Sequence, residues 1–119
     1  MAEDKEFNIN KVKIQMRKGT LDFSVLLIIS QGKAYASTII EGLKKADLIV
    51  VEGTLYPLLN RLKRNGLLDY DWEESKSGPP RKYYSLTKLG KETLINLINT
   101  WGDLEKSIAT LVKNYEKSN

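Results

Sequence analysis

The chain has 119 residues, 41% hydrophobic and 29% charged, with nineteen Lys and Arg against fifteen Asp and Glu for a net charge of +4. That is the size and composition of one folded domain with its own core. It holds no Cys and no His, which excludes disulfides, thiolate or imidazole metal sites, thiol nucleophiles and Ser-His-Asp triads, and favours binding over catalysis.

Residues 1–8 carry Glu3, Asp4 and Glu6. A secretory leader has basic residues and then an apolar run, so a cytoplasmic location is expected. Over residues 9–29 the pattern is largely helical, with Ile9, Val12, Met16, Leu21 and Val25 near helical spacing. Gly19-Thr20 kinks or splits this helix and Gln31-Gly32 ends it. Residues 25–29 form the longest apolar run, far too short to span a bilayer. A second short helix is expected over residues 34–46, with Ile39, Ile40 and Leu43 as its apolar face. Residues 47–50 read as a connector or a very short strand. The third helix, residues 52–65, repeats Leu55, Leu58, Leu59 and Leu62 at intervals of three and four and turns Tyr56, Asn60, Arg61 and Arg64 elsewhere. Pro57 lies near enough to its first turn to escape most of the usual cost of about 3 kcal/mol.

The period then changes to two. Leu68, Tyr70 and Trp72 alternate with Asp69 and Asp71, a strand signature. Residues 74–80, with Gly78-Pro79-Pro80, are a turn, and residues 81–86 are the returning strand of a β-hairpin. One of Tyr83 and Tyr84 packs on the core, and Trp72 is expected under the hairpin. Thr87 caps a final helix running to residue 115, striped by Leu94, Leu97, Ile98, Trp101, Leu104, Ile108, Leu111, Val112 and Tyr115. At 1.5 Å per residue it is about 40 Å long, more than so small a globule can cover, and a second copy of the chain is the simplest cover. The positive charge is concentrated: residues 60–91 hold Arg61, Lys63, Arg64, Lys76, Arg81, Lys82, Lys88 and Lys91 against Asp69, Asp71, Glu73 and Glu74. Such a stretch suits a polyanion, or is simply a solvated basic face.

Three helices, a hairpin and a long apolar-striped helix make a mainly α fold with a small β-hairpin: a winged helix-turn-helix with a C-terminal dimerisation helix. The expected division is a DNA-binding domain over residues 1–86 and a dimerisation helix over residues 87–119, forming a single compact unit. The third helix would present polar side chains to the major groove, and the hairpin would place cations on flanking phosphates or in the minor groove.

Residues 53–68, GTLYPLLNRLKRNGLL, resemble the recognition-helix signature of PadR-type transcriptional regulators. Residues 78–90, GPPRKYYSLTKLG, are similar to that family's wing and its exit into the last helix, and residues 17–21 to the start of its first DNA-domain helix. The likeness covers about residues 16–112. The single C-terminal helix is similar to the short subfamily, typified by a lactococcal multidrug-binding repressor. Val51-Glu52 departs from the family's pattern of a Ser or Asn cap followed by Pro. Val cannot cap, and Glu52 suits a helix N-terminus but repels a nearby phosphate.

The resemblance implies a homodimeric, sequence-specific DNA-binding regulator, a repressor, with no cofactor, no metal and no membrane partner. The expected DNA contacts are Ser37 at the start of the second helix, Thr54, Tyr56, Asn60, Arg61 and Arg64 on the third helix, and Arg81 and Lys82 on the wing, with Tyr56 at a position that the resemblance implies touches DNA. Asn60 suits adenine, and Arg61 suits guanine or phosphate. The plainer readings are an N-cap for Ser37, a half-buried ring for Tyr56, a solvated face for Arg61 and an ordinary hairpin edge for Arg81 and Lys82. Trp101 reads as interface core. The multidrug-binding relative implies another role, sandwiching a flat aromatic effector between two subunits in a pore lined by Phe23, Leu27, Ile98 and Glu105, although Phe23 and Leu27 are bulky enough to fill it. A winged-helix module for protein–protein contact is the alternative, disfavoured by the polar Asn60, Arg61 and Arg64. An enzyme would need a carboxylate pair or an activated Lys in a cleft, and periodicity puts the acidic residues on turns and exposed helix faces.

Overall fold

The computed structural model describes residues 6–118; Met1 to Lys5, with Glu3 and Asp4 of the acidic N-terminus, and Asn119 lie outside the described residues. Among the described residues five helices and three strands follow in the order α1 (Ile9–Lys18), α2 (Leu21–Ile29), β1 (Ala34–Tyr35), α3 (Ala36–Lys45), α4 (Glu52–Arg64), β2 (Leu68–Glu73), β3 (Arg81–Leu86) and α5 (Lys88–Ser118). The layout is a winged helix-turn-helix.

The long first helix expected from periodicity is split at Gly19-Thr20. The Thr20 amide and hydroxyl both donate to the Arg17 carbonyl, at 3.0 and 2.7 Å, which closes α1 before α2 begins. α1 starts on Asn8, whose side chain accepts from the amides of Asn10 and Lys11.

The helix expected over residues 34–46 begins two residues later. Ala34 and Tyr35 instead pair with Tyr84 and Tyr83, giving an antiparallel sheet of order β1-β3-β2. Two residues are too few to show alternation, so this strand has no periodic signal. α3 ends with Asp47 in the left-handed region at φ 59°, while the Leu48 amide donates to the Leu43 carbonyl at 2.8 Å. Residues 47–50 are connector, not strand.

α4 ends at Gly66, with φ 80°, where the Gly66 amide reaches the Lys63 carbonyl and the Leu67 amide reaches that of Leu62. β2 and β3 pair from Leu68 with Leu86 to Glu73 with Arg81. That register puts Leu68, Tyr70, Trp72, Lys82 and Tyr84 on one face of the sheet and Asp69, Asp71, Glu73, Arg81 and Tyr83 on the other.

The core joins Val25, Leu26 and Ile29 of α2, Ile39 and Leu43 of α3, and Leu55, Leu58, Leu59 and Leu62 of α4 to Ala34, Leu68, Tyr84 and Leu94. Tyr84 is the tyrosine that packs inward. Trp72 is not under the hairpin: it is 58% exposed. The sheet continues past the last core residue, so the inward face at Leu68 becomes an open face at Trp72.

Thr87 caps α5 as its sequence position suggests, accepting from the Gly90 amide at 2.9 Å. Its hydroxyl also donates to the Gly66 carbonyl at 2.6 Å, and its amide to that of Leu67 at 3.1 Å. The wing, the end of α4 and the start of α5 are therefore tied at one point. Beyond Leu97, α5 leaves the core with Ile98, Trp101, Leu104, Ile108, Leu111 and Val112 exposed. α1 buries no residue, and its Ile9, Val12, Ile14 and Met16 are exposed. No helix among the described residues is long and apolar enough to cross a membrane.

Candidate nucleic-acid interface

α4 buries Leu55, Leu58, Leu59 and Leu62 and turns three rows of other residues outward. Tyr56 and Lys63, seven apart, lie along the flank beside the wing, where the Lys63 ammonium lies 4.9 Å from the Tyr70 ring centre. Gly53, Pro57, Asn60 and Arg64 form the outermost row. Thr54 and Arg61, seven apart, lie on the flank beside α2. There the Arg61 guanidinium donates to both carboxylate oxygens of Asp22, at 2.7 and 2.9 Å. Sequence spacing placed Arg61 outward but could not find this partner, which α2 supplies from 39 residues away.

Between the wing and the N-terminal ends of α3 and α4 lies a concavity of about 490 Å³, walled by Ser37, Glu52, Tyr56, Trp72, Arg81 and Lys82. It brings together four of the eight residues expected on DNA: Ser37, Tyr56, Arg81 and Lys82. Asn60 and Arg64 continue along α4, and Thr54 and Arg61 stand round the helix on its α2 side. Tyr56 is 44% exposed and lines the groove.

Sheet register explains the two wing cations. Lys82, opposite Trp72, lies on the groove face with its ammonium 4.1 Å from the Tyr70 ring centre and 5.2 Å from that of Trp72. Arg81 lies on the other face, stacked 3.8 Å from the centre of Tyr35, and reaches round to donate to the Ser37 hydroxyl at 3.2 Å. That bond holds the wing against the start of α3. A second tie joins Lys33 to Glu73 at 2.6 Å. The Lys33 ammonium first, and then the Tyr35 hydroxyl, hold the Glu73 carboxyl below its ordinary range. This tie is present above the ordinary carboxylate range and is lost as pH falls through the lowered value. The two ties and Trp72 were not found from sequence. β1 supplies or aligns their partners, and it gives no periodic signal.

Val51 makes no side-chain cap on α4; its carbonyl receives the amides of Thr54 and Leu55, each at 3.0 Å. Among the described residues Glu52 is the only carboxylate on the groove wall, which it shares with Arg81, Lys82 and Tyr56.

The residues expected around an effector lie elsewhere. Phe23 of α2 and Trp101 of α5 face each other with ring centres 6.4 Å apart, tilted by 42°. Phe23 and Leu27 pack partly against the core, whereas Ile98, Trp101 and Glu105 are exposed on α5. Within one chain, Phe23 thus fills space beside Trp101. No group of His, Cys, Asp or Glu suited to a metal ion occurs among the described residues.

The profile of the transcriptional regulator PadR-like family matches residues 25–96, from the middle of α2 into α5. A PadR-like transcription factor from Bacteroides fragilis is 52% identical, with 85% of this chain and 98% of that one covered and a TM-score of 0.72. A PadR family regulator from Eggerthella lenta is 31% identical over 87% of this chain and 91% of that one, with a TM-score of 0.80. A PadR-like regulator from Bacillus cereus is 35% identical over 82% and 96%, with a TM-score of 0.73. An uncharacterised protein of Lysinibacillus sphaericus is 26% identical over 108 residues, 88% of this chain and 99% of its own.

Proposed function

The chain belongs to the PadR-like family of transcriptional regulators, which are DNA-binding proteins and not enzymes, and from that premise we propose that it acts as a homodimeric, sequence-specific repressor. The observation that carries the DNA-binding part is the groove in which Tyr56 of α4, Ser37 of α3 and Arg81 and Lys82 of the wing converge. The outer row of α4 enters the major groove, with Asn60 and Arg64 at base edges or backbone. Ser37, Tyr56, Arg81 and Lys82 take phosphates on the wing side, and Thr54 and Arg61 take the other strand. Arg61 exchanges the Asp22 carboxylate for phosphate when it does so. A protein-docking winged helix would present an apolar face on α4; here the face is polar and cationic.

The apolar side chains that α5 and α1 leave open support a second copy as their cover. Two heads joined along α5 read two half-sites of one operator. Release by a flat aromatic effector is the finer part of this reading, supported by the half-open Trp101, 42% exposed beside Phe23. Such a ligand lowers operator affinity only by preferring a different spacing of the heads. A planar cationic dye is expected to quench the emission that Trp101→Phe removes. Unchanged emission at saturating dye contradicts the pocket without touching the DNA assignment.

Arg81→Ala and Lys82→Ala test the groove. Each is expected to weaken binding to a duplex and to make the fall of log affinity with log salt shallower by about 0.9 for every phosphate that the variant leaves unneutralised. An unchanged slope in both variants contradicts the phosphate assignment.

A further inference from the structure

We propose that Trp72 is a DNA-contacting residue of the wing, its indole lying on a deoxyribose of the strand whose neighbouring phosphate Lys82 holds. This deepens the duplex-binding reading above and rests on it.

Trp72 is a large side chain on the groove wall that core packing does not account for. Along its face of β2, Leu68 is buried and Tyr70 is flanked by Tyr84 and Lys63, while Trp72 stands past the last core residue at 58% exposure. Its ring touches Tyr70 edge-on, 6.3 Å between centres, and its other surroundings are the groove. The apolar stripe offered to a second copy lies on α5 beside α2, not on the groove face.

The groove's chemistry selects the occupant. Trp72 and Lys82 are paired across β2 and β3, so one visitor meets the flat apolar indole and the ammonium together. Tyr56 and Ser37 add hydroxyls from the opposite wall, and Arg81 adds a second cation. An apolar plate next to cations and hydroxyl donors matches a sugar–phosphate unit: the deoxyribose covers the plate and the phosphate takes the cations. Among the described residues Glu52 is the sole carboxylate on the wall, too little to make the site attractive to a cation against Arg81 and Lys82. Trp also gives contact area at low cost in side-chain entropy, since only two torsions are frozen.

The test follows the protein with a short mixed-sequence duplex at low salt. The anisotropy of a labelled duplex reports binding, and the emission difference between the parent and Trp72→Phe isolates this indole from Trp101, the other Trp of the chain. The Trp72 signal is expected to change saturably along the anisotropy curve. Trp72→Ala is expected to weaken binding roughly tenfold, and Trp72→Phe less, because part of the plate remains. If anisotropy shows binding while the Trp72 signal stays flat and Trp72→Ala binds like the parent, this inference is overturned and duplex binding stands. A larger signal with a single strand of the same sequence overturns it too, since the plate then serves unstacked bases. If the labelled duplex does not bind at all, the duplex-binding reading itself fails.

Discussion

Gly90→Ala is expected to destabilise the fold by about 3 kcal/mol or more, at the upper end of what overpacking costs. Gly90 is buried in the first turn of α5. A Cβ there would stand 2.1 Å from the Leu67 carbonyl oxygen and 3.1 Å from its carbon. Leu67 cannot move aside cheaply. Its carbonyl receives the Thr87 amide, its own amide donates to Leu62, and the next residue, Leu68, is a buried partner of Leu86 in the sheet. Relief therefore means lifting α5 off the junction of α4 and the wing. For a chain of this size the melting temperature is expected to fall by about 10 °C or more. Gly53→Ala is the control. Nothing lies within 4 Å of a Cβ at that site, so it leaves stability unchanged or raises it by up to about 1 kcal/mol. Thermal unfolding of both variants decides it; a Gly90→Ala protein as stable as the parent shows that α5 is not seated as described.

Ile108→Lys is expected to convert the proposed dimer into single chains without unfolding them. Ile108 is 56% exposed and far along α5 from the core, and Lys is a good helix former, so one chain loses nothing by the change. In a dimer joined along α5, the same change buries two unpaired cations. Each costs several kcal/mol, which together raise the dissociation constant on the order of a thousandfold or more. Sedimentation at fixed concentration separates the outcomes. A variant that sediments as the parent does places the dimer contact elsewhere or denies it. Loss of tandem half-site binding alongside monomer formation would tie the dimer to DNA reading.

The helices and hairpin were legible because their apolar residues recur with a helical or a strand period. Leu55, Leu58, Leu59 and Leu62 mark α4, and the alternation through Tyr70 and Trp72 marks β2. β1 was not legible. Ala34 and Tyr35 are a strand only because β3 passes beside them, and a two-residue strand has no period. The consequences of β1 were hidden with it, since Arg81 stacks on Tyr35 and the Lys33–Glu73 tie flanks the same strand. Trp72 shows the limit of alternation, which assigns a side chain to a face but does not say where along the strand the core stops. Arg61 shows the limit of helical spacing. The wheel turned it outward, yet its charge is met by Asp22, because α2 docks beside that flank.

Of the groove residues, Arg81 and Lys82 belong to the basic stretch of residues 60–91, Tyr56 came from the family likeness, and Ser37 from its place at the start of a helix. Charge alone located the stretch without choosing among its eight cations. The sheet register makes that choice, sending Lys82 to the groove and Arg81 to the edge that Ser37 meets.

The most direct measurement is the affinity of the purified protein for duplex DNA from upstream of its own coding region, set against an unrelated duplex across a range of salt. Tighter binding to the first is expected, with a steep fall of both affinities as salt rises and protection of two patches about one helical turn apart or a multiple of it. Equal, salt-insensitive affinity for the two duplexes, or no retention of either, would contradict a DNA-reading dimer.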